Sequence, residues 1–178
     1  MAIEKSEPKF RFISNEAHYE HVIERMKNVK KLLWIGTADI KDLYVKSGRV
    51  SKPLLGVLSD LVERGIEIRL IHAKEPGLAF RTDFDKYPAL IDGMERVLCP
   101  RVHFKIIIFD MKVAYVGSAN LTGAGLGMKG NNTRNFEAGI LGTDKDFVEA
   151  AVKQFDDVWM GLHCASCRRK QYCADPIV

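Results

Sequence analysis

The 178-residue chain has no apolar run approaching the roughly 20 residues that cross a bilayer. Its longest apolar stretches, such as Ile106 to Phe109 and Leu32 to Ile35, are strand-sized, which excludes a membrane span and points to no stable membrane association. Residues 1–9 carry charges of both signs and lead into no apolar segment, so they do not read as a secretory signal, and a cytoplasmic location is expected. No repeat recurs at a fixed period, and no biased tract occurs beyond the Gly- and Asn-rich stretch from Gly123 to Asn132. Charge of one sign is scarcely in excess: 27 Lys and Arg against 23 Asp and Glu give +4 and a pI near 8.8, which tolerates an anionic partner without demanding one. What is present, 47% hydrophobic and 28% charged residues, is the composition of an ordinary globular domain able to bury its own core.

Ser14 and Asn15 read as the cap of a helix that places Tyr19, Val22, Ile23, Met26 and Val29 on one face. The apolar run Leu32 to Gly36 predicts a buried strand. Ser51 is expected to cap a second helix, with Pro53 in its first turn, a stripe of leucines from Leu54 to Leu61, and Gly65 at its end. Ile66 to Ile71 alternates and is rich in branched residues, completing a βαβ unit from Trp34 onward. Glu75 to Pro88 reads as a surface excursion, followed by a short helix over Ala89 to Met94. Val102 to Asp110 and Val113 to Gly117 form a hairpin, Phe136 to Leu141 a further strand, and a last helix runs from about Asp144 to Trp159. The fold expected is α/β, a mixed sheet with helices on both faces over residues 1–162, followed by a Cys-rich tail over 163–178. Trp34 and Tyr115 sit in strand-like runs where core packing is their expected use.

One segment carries chemistry: His103-Phe104-Lys105-Ile106-Ile107-Ile108-Phe109-Asp110, then Gly117-Ser118-Ala119-Asn120, then Asn135-Phe136-Glu137. On a strand His103 and Lys105 share a face, which sets an imidazole beside an ammonium. Such a pair suits attack on phosphorus, the lysine neutralising non-bridging oxygens while an imidazole nitrogen acts as nucleophile. Asp110, at odd spacing from His103, falls on the other face and reads as a structural anchor. The pattern H-x-K-x4-D followed by G-S-x-N resembles the HKD signature of the phospholipase D superfamily, and the order of elements over residues 10–161 is similar to that of its small nucleases.

The resemblance implies a phosphodiesterase in which His103 forms a phosphohistidine, Lys105 binds phosphate oxygens, Ser118 and Asn120 line the phosphate pocket, and Glu137 orients the imidazole. It implies no catalytic metal, since lysines supply the positive charge. Enzymes of this kind need two motifs, one histidine to attack and one to protonate the leaving oxygen. The complete pattern occurs once here, so a homodimer with the active site at its interface is expected. A nuclease acting on DNA or RNA is the preferred reading, with a phospholipase or phosphatidyltransferase and a non-catalytic nucleic-acid-binding module as alternatives.

All four cysteines bear on a second site: Cys99 just before the motif, and Cys164, Cys167 and Cys173 in the tail. C-x2-C followed by x5-C in a reduced compartment favours metal over disulfides, and four thiolates complete either a structural Zn²⁺ site or a [4Fe-4S] site. His163 is an alternative ligand. Arg168, Arg169 and Lys170 within the tail are available to a nucleic-acid backbone.

Overall fold

Branched residues at the centre of the chain pair into one seven-stranded sheet in the computed structural model, which describes residues 9–174 except Asp42, Gly48, Arg49 and Asn131. The reading of the N-terminus as free of a leader therefore falls almost wholly outside the described residues. In chain order the strands are β1 (Phe10–Ser14), β2 (Leu32–Thr37), β3 (Tyr44–Ser47), β4 (Val50–Pro53), β5 (Glu67–His72), β6 (Met94–Leu98), β7 (Lys105–Phe109), β8 (Val113–Gly117) and β9 (Ala138–Gly142). The helices are α1 (Glu24–Met26), entered through a π-helical turn at Tyr19–Ile23, α2 (Leu54–Glu63), α3 (Leu78–Phe84), α4 (Pro88–Gly93) and α5 (Lys145–Trp159). The sheet order is β1-β9-β8-β7-β2-β5-β6, with β2, β5 and β6 parallel and the remaining neighbours antiparallel. β3 and β4 pair separately as a hairpin.

Central strands β2 and β7 read as continuous apolar runs because both faces are covered. On one face Leu33, Ile35, Ile107 and Tyr115 pack with α2 and the segment around Val22 to Met26. On the other, Trp34, Ile106, Ile108 and Ala114 meet Val148, Ala151 and Phe155 of α5. Asp144 caps α5, its carboxylate accepting the Phe147 N–H at 3.4 Å. The expected mixed sheet with helices on both faces is thus the fold observed.

Four elements depart from the sequence reading. Edge strands β1 and β6 were not anticipated because an edge tolerates polar and exposed side chains: β1 exposes Phe10 and Phe12, and β6 uses Glu95 to pair with Arg69 at 2.9 Å. Ser51 lies in β4, not at a helix cap. α2 begins after Pro53, whose φ of −55° suits a helix entry. The excursion from Glu75 to Pro88 contains α3, which buries Phe80.

Tyr115 is fully buried under Gly117 and Gly139, and its hydroxyl accepts the Ala119 N–H at 3.3 Å, propping the loop that follows β8. A Cβ on Gly117 would meet the Tyr115 hydroxyl at 2.3 Å and the Ala138 carbonyl at 2.7 Å. Backbone cannot yield there. Gly117→Ala is expected to cost about 1–3 kcal/mol, read as a lower denaturation midpoint.

Candidate active site

The carboxyl ends of β2 and β5 meet the start of β7 and the end of β8 along one edge of the sheet. His103 lies two residues before β7 and is exposed; Lys105 opens the strand and is only 7% exposed. The Lys105 ammonium donates to the His103 carbonyl at 2.8 Å and stands 3.5 Å from its Nδ1. Among the described residues no carboxylate pairs with Lys105. A buried ammonium without a counter-ion is costly unless an anion arrives to meet it.

Lys105 faces Gly117 across the β7–β8 ladder, so the segment Ser118 to Asn120 continues on the same edge as His103. Asn120 is held there by its Oδ1, which accepts the Asp39 N–H at 3.2 Å, and by Thr37, whose hydroxyl accepts the Leu121 N–H at 3.1 Å and donates to the Asp39 carbonyl at 2.8 Å. Ser118 Oγ donates to Glu137 Oε2 and accepts the Ala138 N–H at 3.1 Å. Asn135 Nδ2 donates to Glu137 Oε1 at 3.1 Å, and Asn15 Oδ1 accepts the Glu137 N–H at 3.2 Å.

Glu137 is thereby occupied by Ser118 and Asn135. Among the described residues no hydrogen bond joins Glu137 to His103; its two carboxylate oxygens accept from Ser118 and Asn135. Beneath this edge His18 is fully buried, edge-on to Tyr115 with ring centroids 5.5 Å apart, and burial holds its imidazole below the ordinary range against the pull of the Asn15 carbonyl. Tyr115 is pushed upward by the same burial.

Asp110 sits at the opposite end of β7. Its carboxylate accepts the N–H groups of Lys30 (3.0 Å), Lys31 (2.7 Å) and Leu32 (3.1 Å). Burial would raise its pKa, but those three donors and the nearby Lys112 outweigh it and hold the group below its ordinary value. Asp110 therefore touches none of the groups around His103.

The spacing H-x-K recurs at His72-Ala73-Lys74, but with alanine where the full pattern has aspartate. His72 is fully buried, with Nδ1 bonded to the Lys74 carbonyl at 2.8 Å, and Lys74 pairs with Asp39 at 3.2 Å. It supplies no second exposed imidazole. The supporting roles of Thr37, Asp39, Tyr115 and Asn15 were not foreseen from the sequence; the only local signal is the polar Thr37-Ala38-Asp39 following an apolar strand.

The four cysteines are unpaired and half-buried. Among the described residues, no three His, Cys, Asp or Glu side chains gather around one point as a single ion requires, so a closed tetrahedron of Cys99, Cys164, Cys167 and Cys173 is not formed. No helix among the described residues is long and apolar enough to cross a membrane.

A mixed sheet carrying H-x-K-x4-D on one strand and G-S-x-N after its hairpin partner defines the phospholipase D-like class of phosphodiesterases. Residues 22–159 match the family described as cardiolipin synthase, PLD-like domain, and the chain belongs to that family. No curated protein matches it in sequence. The fold is similar to that of the phospholipase D family member Nuc from Salmonella typhimurium (TM-score 0.62, 16% identity, 86% of this chain and 95% of that one). It is also similar to NucT from Helicobacter pylori (TM-score 0.60, 15% identity, 83% and 94%). Phosphatidylserine synthase from Haemophilus influenzae Rd KW20 shares it over 38% of its own length, with 83% of this chain covered (TM-score 0.55, 16% identity).

Proposed function

We propose that the chain hydrolyses phosphodiester bonds of nucleic acid, with His103 as nucleophile. The observation that carries this reading is the buried Lys105 ammonium, free of any carboxylate among the described residues and bonded to the His103 carbonyl, with the His103 Nδ1 3.5 Å away. It supplies positive charge where a phosphate would sit. An imidazole nitrogen of His103 attacks phosphorus, the P–O bond to the leaving oxygen breaks, and a phosphohistidine remains. Lys105 and the side-chain amide of Asn120 hold the non-bridging oxygens as charge develops. A second imidazole protonates the leaving oxygen, then takes a proton from water as that water attacks phosphorus and releases His103.

That second imidazole comes from His103 of a second copy related by a twofold axis. Support lies in the apolar strip of β1 and β9: Phe12 (72% exposed) faces Ile140 across the ladder, and Phe136, 93% exposed, adjoins Glu137. So much apolar surface beside a half-complete site suits a covering copy. Phe12→Glu is expected to yield monomers in sedimentation analysis and to reduce cleavage to background while leaving the His103–Lys105 contact in place.

The reading is tested by incubating the full chain with labelled single-stranded DNA, duplex DNA, RNA and phospholipid vesicles in excess EDTA, with rapid acid-free quenching. Cleavage of a nucleic acid with phosphate trapped on His103 is the expected result. Turnover of vesicles alone would replace nucleic acid by lipid as the substrate. Cleavage without a phosphohistidine would overturn the mechanism.

A further inference from the structure

Every cysteine of the chain borders one cavity of about 230 Å³ between the end of α5, the tail and the connection from β6 to β7. Cys99 comes from that connection, tied by its N–H to the His72 carbonyl at 2.9 Å. Cys164, Cys167 and Cys173 come from the tail. Four thiols from two distant segments meeting at one void is an arrangement that apolar packing alone does not call for.

The tail gives the second observation. From Gly161 to Ala174 no residue is buried, Leu162 and Tyr172 are more than 60% exposed, and the regular structure there is a turn at Lys170–Tyr172. Ordering such a segment costs about 1–2 kcal/mol per residue in backbone entropy, and this one has no core to offset it. Small units of that kind are held by cross-links or by metal. The cavity's electrostatics fit bound thiolates: Arg101 and Lys170 line it, Asp157 is its one carboxylate, and the Arg169 N–H donates to Cys167 Sγ at 3.4 Å.

Size separates the candidates. A single zinc ion bonded at about 2.3 Å would draw the four sulfurs to about 3.8 Å of one another, whereas among the described residues no three such ligands gather as one ion requires, while all four cysteines border one cavity. An iron–sulfur cube stands between its four thiolates and needs them farther apart than a single ion does. We infer that Cys99, Cys164, Cys167 and Cys173 hold a [4Fe-4S] cluster that ties the tail to the Cys99–Phe104 segment leading into His103 and Lys105. The inference does not depend on the nuclease reading.

The full chain, expressed with iron supplied and purified anaerobically, is analysed for iron, acid-labile sulfide and zinc, with visible absorption and electron paramagnetic resonance after reduction. About four iron and four sulfide per chain are expected, lost in Cys167→Ser and Cys173→Ser and retained in Arg168→Gln. His103→Ala retains the cluster, so this result stands or falls apart from catalysis. Removing the cluster from the wild type is expected to speed tryptic cutting at Arg168 to Lys170 at least several-fold, a readout independent of activity. One zinc per chain without sulfide overturns the cluster. A metal-free folded chain with four alkylatable thiols, or with disulfides among them, overturns the site altogether.

Discussion

Lys105→Met is expected to unfold no more easily than the wild type while its cleavage rate falls by roughly 10³-fold, since an electrostatic contact to developing phosphate charge is worth two to three orders of magnitude. The lysine is almost fully buried, and its ammonium has a carbonyl at 2.8 Å and a distant imidazole nitrogen in place of a carboxylate. Its stem packs at the head of a strand whose other residues are all buried and apolar. Methionine keeps that packing at similar volume and removes the desolvation penalty. Position 105 is thus a place where stability is given up for a waiting positive charge. His103→Ala provides the comparison: the side chain is exposed, so stability should move by less than about 0.5 kcal/mol while turnover disappears. Thermal melts and single-turnover rates on the same preparations check both. If Lys105→Met loses several kcal/mol, the ammonium is holding the fold and the phosphate-binding reading fails.

The sequence made the central strands and the motif legible because both obey local rules. Leu32 to Ile35 and Ile106 to Phe109 are continuous branched runs, as strands buried on both faces must be, and alternation alone puts His103 with Lys105 and turns Asp110 away. Positions whose meaning lies in a distant partner were not legible. Asn120 owes its orientation to Asp39, and among the described residues Glu137 bonds to Ser118 and Asn135 rather than to His103. Tyr115 could be recognised as core, but that its hydroxyl props Ala119 depends on the absence of side chains at Gly117 and Gly139. Edge strands failed for a related reason: β1 and β6 mix polar, exposed and buried positions because one side of each has no neighbour, which erases the pattern a buried strand displays. The cysteine spacing raised the expectation of a shared site, while the fact that all four thiols border one cavity could be seen only in three dimensions.

Asp110→Ala should lower the unfolding free energy by about 3 kcal/mol, since charge-assisted hydrogen bonds contribute roughly 1.5–3 kcal/mol each and water replaces part of the loss at a half-exposed site. Two roles meet in this residue. It joins the β7–β8 hairpin to the start of β2 through Lys30, Lys31 and Leu32, and it occupies the first of two left-handed positions in the turn, with φ of 54° at Asp110 and 55° at Met111. Aspartate and asparagine tolerate that conformation better than alanine. Asp110→Asn therefore keeps the turn while losing the charge, and it should cost less than Asp110→Ala. Met111→Gly should raise stability by up to about 1 kcal/mol, because methionine is strained at a position that glycine adopts freely. The pH dependence has a definite sign. The folded carboxyl titrates below its ordinary value of 3.8, so its contribution is complete above that pH and is lost as pH falls through the depressed folded value. Chemical denaturation at a series of pH values should show a constant gap between wild type and Asp110→Ala from neutrality down to about pH 4, narrowing below it. A gap that widens on acidification would mean that the carboxylate is not held by these three amides.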